Sequence, residues 1–327
     1  MIQANTENGY LIRIPKEFGC YKFIDILGCG STSIVGLVED VNTGKRYSAK
    51  IISTTDIAQR KLTYSIEKEI AIIQEVYHPN IIKIRESFEI HNDKQDEFIV
   101  IIMEYCPKGD LLTLAVHHKI KKEEIKSILI GFLESIKYLH SRGISHGDIK
   151  SENILLGSNN RAKLCDFGYC RTTFIAGDES KNGTLYYAAP ELFRKGQFDP
   201  FKSDIYAIGI TLYSLFELQF PFKDGDQRYI IKQIVSGQLS FRSGINKQLK
   251  NLVLKCTDKD PINRPTIEEI INDEFFDVEG KKIASKDNNL AQLNLINHKL
   301  NQNSLLNQEK QRFVPQNLDS FESNLKI

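Results

Sequence analysis

His146-Gly147-Asp148-Ile149-Lys150-Ser151-Glu152-Asn153, with Asp166-Phe167-Gly168 thirteen residues beyond its end, is the stretch from which the fold of this 327-residue chain is read. A helical run closes at Leu139-His140 before it, and the apolar pair Leu155-Leu156 follows it. The stretch therefore sits in a loop between a helix and a short strand. It offers an acid (Asp148), a cation (Lys150) and an amide (Asn153) within six residues. Two carboxylates, an amide and a lysine in one pocket can take up a hydroxyl proton, hold a divalent metal and neutralise a phosphate, which is what phosphoryl transfer demands.

Working outward, the chain is long enough to bury a large core and exceeds one minimal domain. Formal charge is +1, with both signs interspersed, so no basic footprint for nucleic acid or an anionic membrane stands out. The longest apolar runs, such as Phe98–Met103, are strand-sized, and no membrane span is expected. Met1–Gly9 carries neither a basic-then-apolar leader pattern nor a glycine at position 2 for acylation. The six cysteines (20, 29, 106, 165, 170, 256) show no C-x-x-C spacing, which predicts reduced thiols in a cytosolic protein rather than zinc ligands or a disulfide framework.

Upstream, strand signals dominate the first hundred residues. Tyr21–Leu27 alternates and breaks into Gly28-Cys29-Gly30-Ser31-Thr32-Ser33. Gly36–Asp40 then reaches a turn at Asn42-Thr43-Gly44, and Arg46–Ile52 is a third strand. A glycine-rich connection between antiparallel strands differs from the strand-to-helix loop of dinucleotide-binding folds. Its two glycines let backbone close over a polyphosphate. By itself the loop is weak evidence; Lys50 on the third strand, able to reach the same phosphates, strengthens it. Ile66, Ile70, Ile73 and Val76 recur at helical spacing, and this helix carries Glu67, Glu69 and Glu75 before His78-Pro79-Asn80 ends it. Strands at Ile81–Ile90 and Phe98–Tyr105 follow, and Cys106-Pro107-Lys108-Gly109 connects to a mainly helical remainder.

Taken together, these motifs resemble those of the eukaryotic protein kinases over about residues 18–276. Gly28, Gly30 and Ser33 match the glycine-rich loop, with Cys29 and Ser31 between them. Ser48-Ala49-Lys50 matches the strand-three lysine, His146–Asn153 the catalytic loop, Asp166-Phe167-Gly168 the metal-binding triplet, and Ala189-Pro190-Glu191 the close of the activation segment. Asp204 resembles the aspartate anchoring the large lobe's central helix, and Arg264 the arginine paired with Glu191. The resemblance implies an α+β, bilobal kinase fold: a small antiparallel sheet lobe with one main helix (about 18–105) and a larger, mainly helical lobe (about 107–276). Residues 1–17 are then an extension and 277–327 an Asn/Gln/Leu-rich tail. That tail is either polar and disordered or, from Leu290, Leu293, Ile296 and Leu300, one helix docking on the kinase body or a partner.

The same resemblance implies an ATP- and Mg²⁺-dependent serine/threonine kinase acting on protein hydroxyls. It selects Glu69 as the carboxylate that holds Lys50 against the α- and β-phosphates. Asp166 and Asn153 are the implied Mg²⁺ ligands, Asp148 the residue that accepts or orients the substrate proton, and Lys150 the cation on the γ-phosphate. Val35, Ala49 and Leu155 are expected around the adenine, with Met103 in the gatekeeper place and the backbone of Glu104 and Cys106 facing the base. Asp110 is expected at the ribose or a basic substrate residue. Glu152 is expected to receive an arginine N-terminal to the acceptor. Cys165, just before Asp166, is expected on the floor of the nucleotide site. One departure stands out: Gly147 occupies the place where the family usually has an arginine that clamps a phosphorylated activation loop. Without it, a phosphate on Thr172, Thr173, Ser180 or Thr184 lacks its usual partner unless Arg171 substitutes, so weak dependence on such phosphorylation is expected. That departure is also the one hint of the alternative, a nucleotide-binding pseudokinase scaffold. A cytoplasmic setting, with the nucleus as the alternative, completes the expectation.

Overall fold

Residues 11–14, Leu-Ile-Arg-Ile, alternate exposed and covered positions, and they pair with Ile2–Asn5 across a turn at Gly9. These strands, β1 (Ile2–Asn5) and β2 (Leu11–Ile14), form an antiparallel hairpin with Ile2 opposite Ile14. The computed structural model describes residues 1–6, 9, 11–30, 33–53, 70–91, 97–171, 175–176, 185–194 and 196–277. All of these lie in one unit, Met1–Asp277. The residue 278–327 tail, with its expected helix, lies outside them.

Next comes a six-stranded antiparallel sheet in the order β3-β4-β5-β6-β8-β7. Its strands are β3 (Glu17–Phe18), β4 (Tyr21–Cys29), β5 (Ser33–Asp40), β6 (Arg46–Ser53), β7 (Ile84–His91) and β8 (Glu97–Glu104). Because side chains alternate along a strand, the sheet separates two apolar faces. On one, Tyr47, Ala49 and Ile51 of β6 pack with Phe98, Val100 and Ile102 of β8, and the β1–β2 hairpin covers them with Ala4, Ile12 and Ile14. On the other, Ile52 packs with Ile99 and Ile101, and against Ile70 and Met103. Ile70 lies on α1, described over residues 70–75. The N-terminal extension is thus part of the small lobe's core.

Beyond the connector the chain turns helical as expected. α2 (Leu111–Val116) starts at Asp110, whose side chain accepts from Thr113 N. α3 (Lys122–Ser141) buries Ile125, Leu129, Phe132, Ile136 and Leu139 at three- and four-residue spacing, and Glu123 and Glu124 complement the dipole of its first turn. The short strands β9 (Ile154–Leu156) and β10 (Ala162–Leu164) pair antiparallel, and β11 (Ile175–Ala176) pairs with β12 (Gln197–Phe198). α4 (Pro200–Glu217) is capped by Asp199, carries Pro200 in its first turn and ends with Leu218 in the left-handed region at φ 53°. It is covered on nearly all sides, the signature of a central helix. α5 (Gln227–Ser236), α6 (Lys247–Cys256) and α7 (Ile267–Ile271) complete the lobe. Among the described residues no helix is long and apolar enough to cross a membrane.

Candidate active site

Asp204, early in α4 and 2 % exposed, holds the decisive loop in place. One carboxylate oxygen accepts from His146 N (2.8 Å) and lies 2.9 Å from His140 Nε2, and the other accepts from Gly147 N (2.9 Å). A buried carboxylate aimed at two consecutive amides fixes the backbone just before Asp148. The His146 ring reaches Cys165 O at 3.1 Å and packs edge-on against Phe167 with centroids 5.2 Å apart. The catalytic-loop candidate and the Asp166-Phe167-Gly168 triplet are thereby tied together.

On this support Asp148, Lys150 and Asn153 converge. Lys150 Nζ lies 2.8 Å from Asp148 Oδ2. Asn153 Nδ2 donates to Asp148 O (2.9 Å) and to Asp148 Oδ2 (3.0 Å). With both amide hydrogens directed at Asp148, Asn153 keeps its Oδ1 as an oxygen donor. The Lys150 ammonium is held above its ordinary pKa: burial works downward, but the Asp148 carboxylate, with Asp166 and Glu152 behind it, outweighs burial.

Lys50 Nζ lies 3.1 Å from Asp166 Oδ1, which brings a strand of the small lobe to the triplet of the large one. Asp166 adopts φ 63°, a left-handed conformation unusual for a side-chain-bearing residue and characteristic of functional sites. Burial pushes its carboxyl pKa upward, but Lys50, with His146 and Lys150 behind it, outweighs burial, and the net direction is below the ordinary value. Hard oxygens on Asp166 and Asn153 suit Mg²⁺, which takes one or two protein ligands plus phosphate oxygens.

The glycine-rich loop closes between β4 and β5, with Gly28 opposite Val35, Cys29 opposite Ile34, and Gly30 N donating to Ser33 O at 2.8 Å. Val35 pairs with Lys50 across β5 and β6 and so shares its face of the sheet. Met103 sits at the end of β8 opposite Ser48, and Leu155 on β9 bridges to Asp110. Asp110 uses both carboxylate oxygens on Thr113, at N (2.8 Å) and Oγ1 (2.7 Å). Cys106 is buried, and burial beside Glu104 pushes its thiol up to about 12. Cys165 donates through Sγ to Asn153 O at 3.4 Å, and burial raises its thiol far above the ordinary range, so it is a neutral, packed thiol rather than a reactive one.

Ala49 is corrected. It is fully buried on the hairpin face, among Tyr47, Ile51 and Val100. Adjacent residues of a strand point to opposite sides, so Ala49 cannot share a face with Lys50. Ser48, two residues from Lys50, holds that place, and strict alternation counted back from Lys50 would have found it. Glu69 and Ser31 lie outside the described residues, as do Thr172, Thr173, Ser180 and Thr184. Arg171 stands over the Phe198 ring, 5.5 Å from its centroid. Gly147 adopts φ 79°, and a Cβ there would overlap the Tyr169 carbonyl, so the position admits glycine for a steric reason.

Glu152, Ser151 and Tyr187 form a triad beside Asp148. Tyr187 OH donates to Glu152 Oε2 at 3.0 Å, and Ser151 Oγ donates to the same oxygen at 3.0 Å. Farther out, Arg264 binds Glu191 through both carboxylate oxygens, at 2.6 and 2.8 Å, while Ser203 Oγ adds a 3.0 Å hydrogen bond.

A family model described as "Protein kinase domain" matches residues 21–276. CBL-interacting serine/threonine-protein kinase 26 of Arabidopsis thaliana is 28 % identical over 269 residues, covering 81 % of this chain and 60 % of that protein. Serine/threonine-protein kinase cds1 of Schizosaccharomyces pombe is 30 % identical over 280 residues, covering 80 % and 60 %. The 3-phosphoinositide-dependent protein kinase B of Dictyostelium discoideum is 33 % identical over 268 residues, covering 80 % and 29 %. The chain spans at most 60 % of the length of each of these three relatives.

Proposed function

The chain belongs to the protein kinase family, and from that membership we propose that it transfers the γ-phosphoryl group of Mg-ATP to serine or threonine hydroxyls of protein substrates. One observation carries the reading: Lys50 meets Asp166 at 3.1 Å, while Asp148, Lys150 and Asn153 interlock. That arrangement supplies an amine for phosphates, two hard oxygens for a metal and a carboxylate for a hydroxyl proton. The names of the serine/threonine kinases among its relatives support the acceptor class.

Mg²⁺ held by Asp166 and Asn153 would neutralise phosphate charge and orient the polyphosphate. The chain's own residues do the rest. Lys50 binds the non-transferred phosphates, and Asp166 positions its ammonium. Asp148 accepts a hydrogen bond from the substrate hydroxyl and takes its proton as the bond to phosphorus forms. Lys150 stabilises charge on the transferred group, and its raised pKa keeps it cationic throughout the neutral range. Substrates with a basic residue N-terminal to the acceptor suit Glu152, whose carboxylate Tyr187 and Ser151 hold ready. A signalling role in the cytoplasm or nucleus, and docking of the tail on this unit or on a partner, are part of the same proposal.

The test is transfer of radiolabelled phosphate from Mg-ATP to a generic basic protein by the full chain and by Lys50→Met. Transfer by the wild type that the variant loses is the expected result. Equal incorporation by both, or none by either, overturns it.

A further inference from the structure

Phe220-Pro221-Phe222, just past the end of α4, carries no group that phosphoryl transfer uses. Its loop is nevertheless pinned along its length. Gln219 Nε2 donates to the buried Tyr213 hydroxyl at 3.2 Å, and Ser240 N donates to Pro221 O at 2.7 Å. Gln233 of α5, 4 % exposed, takes Lys223 with both ends of its amide. Its Oε1 accepts from Lys223 N at 2.8 Å, and its Nε2 donates to Lys223 O at 2.9 Å, as a neighbouring strand would. Phe220, half-buried, therefore stands in a set position.

Two consecutive tyrosines grip its ring. Tyr186 stacks on it, with centroids 4.5 Å apart and planes at 19°, and Tyr187 meets it edge-on at 5.3 Å and 86°. Stacked and edge-to-face contacts are both favourable, and having both on one ring fixes the short turn Leu185–Tyr187 in place and in rotation. Farther along the chain, Glu191 is clamped by Arg264. Tyr187 is 5 % exposed, and its OH donates to Glu152 Oε2 at 3.0 Å. The direction of the Glu152 carboxylate thus traces back through the Tyr187 ring to Phe220.

We propose that Phe220 is a positioning residue for protein-substrate recognition: it sets the Tyr187 ring, and through it the direction in which Glu152 faces a basic residue of the substrate. The inference rests on the kinase reading and on Glu152 as the acceptor of that basic residue. It deepens that reading by assigning part of the recognition to a ring outside both the catalytic loop and the activation segment.

The experiment compares the full chain with Phe220→Leu, which keeps apolar bulk but loses the ring, and with Phe220→Tyr, which keeps the ring. Two serine peptides are used, one with arginines two and three residues before the serine and one with alanines there. KM and kcat are measured for each, beside KM for Mg-ATP, and direct binding is measured with the serine of each peptide replaced by alanine. Loss of one well-directed hydrogen bond predicts that Phe220→Leu raises KM and weakens binding of the arginine peptide about 3- to 10-fold. Its kcat, its KM for Mg-ATP and its handling of the alanine peptide should stay within about twofold of wild type, as should every value for Phe220→Tyr. Tyr187→Phe should show the same arginine-specific loss, and adding Phe220→Leu to it should cost less than about twofold more.

Equal losses on both peptides, or a loss shared with Mg-ATP, overturn the proposal, because the ring would then only support the lobe. An arginine preference that survives Phe220→Leu or Tyr187→Phe overturns it, and so does one that Phe220→Tyr loses as fully as Phe220→Leu. A wild type with no arginine preference removes the proposal together with the role of Glu152, and leaves phosphate transfer standing. The expected binding losses in a chain that never transfers phosphate would keep Phe220 in its role and remove the phosphotransfer reading instead.

Discussion

Replacing Asp148 by asparagine keeps the volume and an oxygen for Lys150, but removes the proton acceptor. Asp148→Asn should therefore cut phosphate transfer by about 10²- to 10⁴-fold. Nucleotide affinity should stay near wild type, as a steady-state rate measurement beside a nucleotide titration would show. Lys50 and Asp166 make a second residue-level case. The ammonium holds the Asp166 carboxyl below its ordinary pKa, so the fold favours the ionised form. The stabilisation is therefore present above the unfolded carboxylate value, near 4, and is lost as pH falls through the depressed folded one. Lys50→Met removes the largest downward pull and leaves burial opposed only by His146 and Lys150, so the Asp166 carboxyl should titrate at higher pH, read by NMR of its side-chain carbon. Most of this site was legible because proton transfer, metal binding and phosphate neutralisation each demand particular residue types at close spacing. Ser48 rather than Ala49 shares the face of Lys50, because side chains two apart on a strand point the same way.

Elements were legible where periodicity was strong. Asp204 marks the central helix in the sequence, and the helix's start four residues earlier, at Pro200, follows from the Asp199 cap and the tolerance of proline in a first turn. The β1–β2 hairpin was illegible because a four-residue strand shows only two side chains per face. Its worth lies in tertiary burial, and Ile14, fully buried, is the test: Ile14→Ala should cost about 2–5 kcal/mol in a denaturant melt. The Arg264–Glu191 strut makes a similar case in the large lobe. Both side chains are buried, so Arg264→Ala leaves an unpaired carboxylate and should cost about 3–5 kcal/mol in the same melt. At Gly147 the loop itself is the element: Gly147→Arg, which installs the family's usual residue, should lower the melting temperature. A side chain at φ 79° is strained by about 1–2 kcal/mol even before it meets the Tyr169 carbonyl.

For the molecule as a whole, the start of the activation segment is held by backbone. Ser145 N donates to Arg171 O at 2.9 Å and Arg171 N returns the bond to Ser145 O at 3.1 Å. This pairing needs no phosphate, and Gly147 has no guanidinium to bind one. Phosphatase treatment of the full chain should leave its transfer rate within about twofold of the untreated rate, and a collapse would refute the expectation. The hairpin has a further consequence, for anyone preparing the protein. The stretch that matches the family begins at residue 21, whereas Ala4, Ile12 and Ile14 roof the sheet from in front of that border. Trimming to the border would bare a greasy sheet surface and invite clumping. It would also unbrace the far side of the strand that carries the phosphate-binding lysine, so a lifeless short form would speak of a missing roof, not of an inert enzyme.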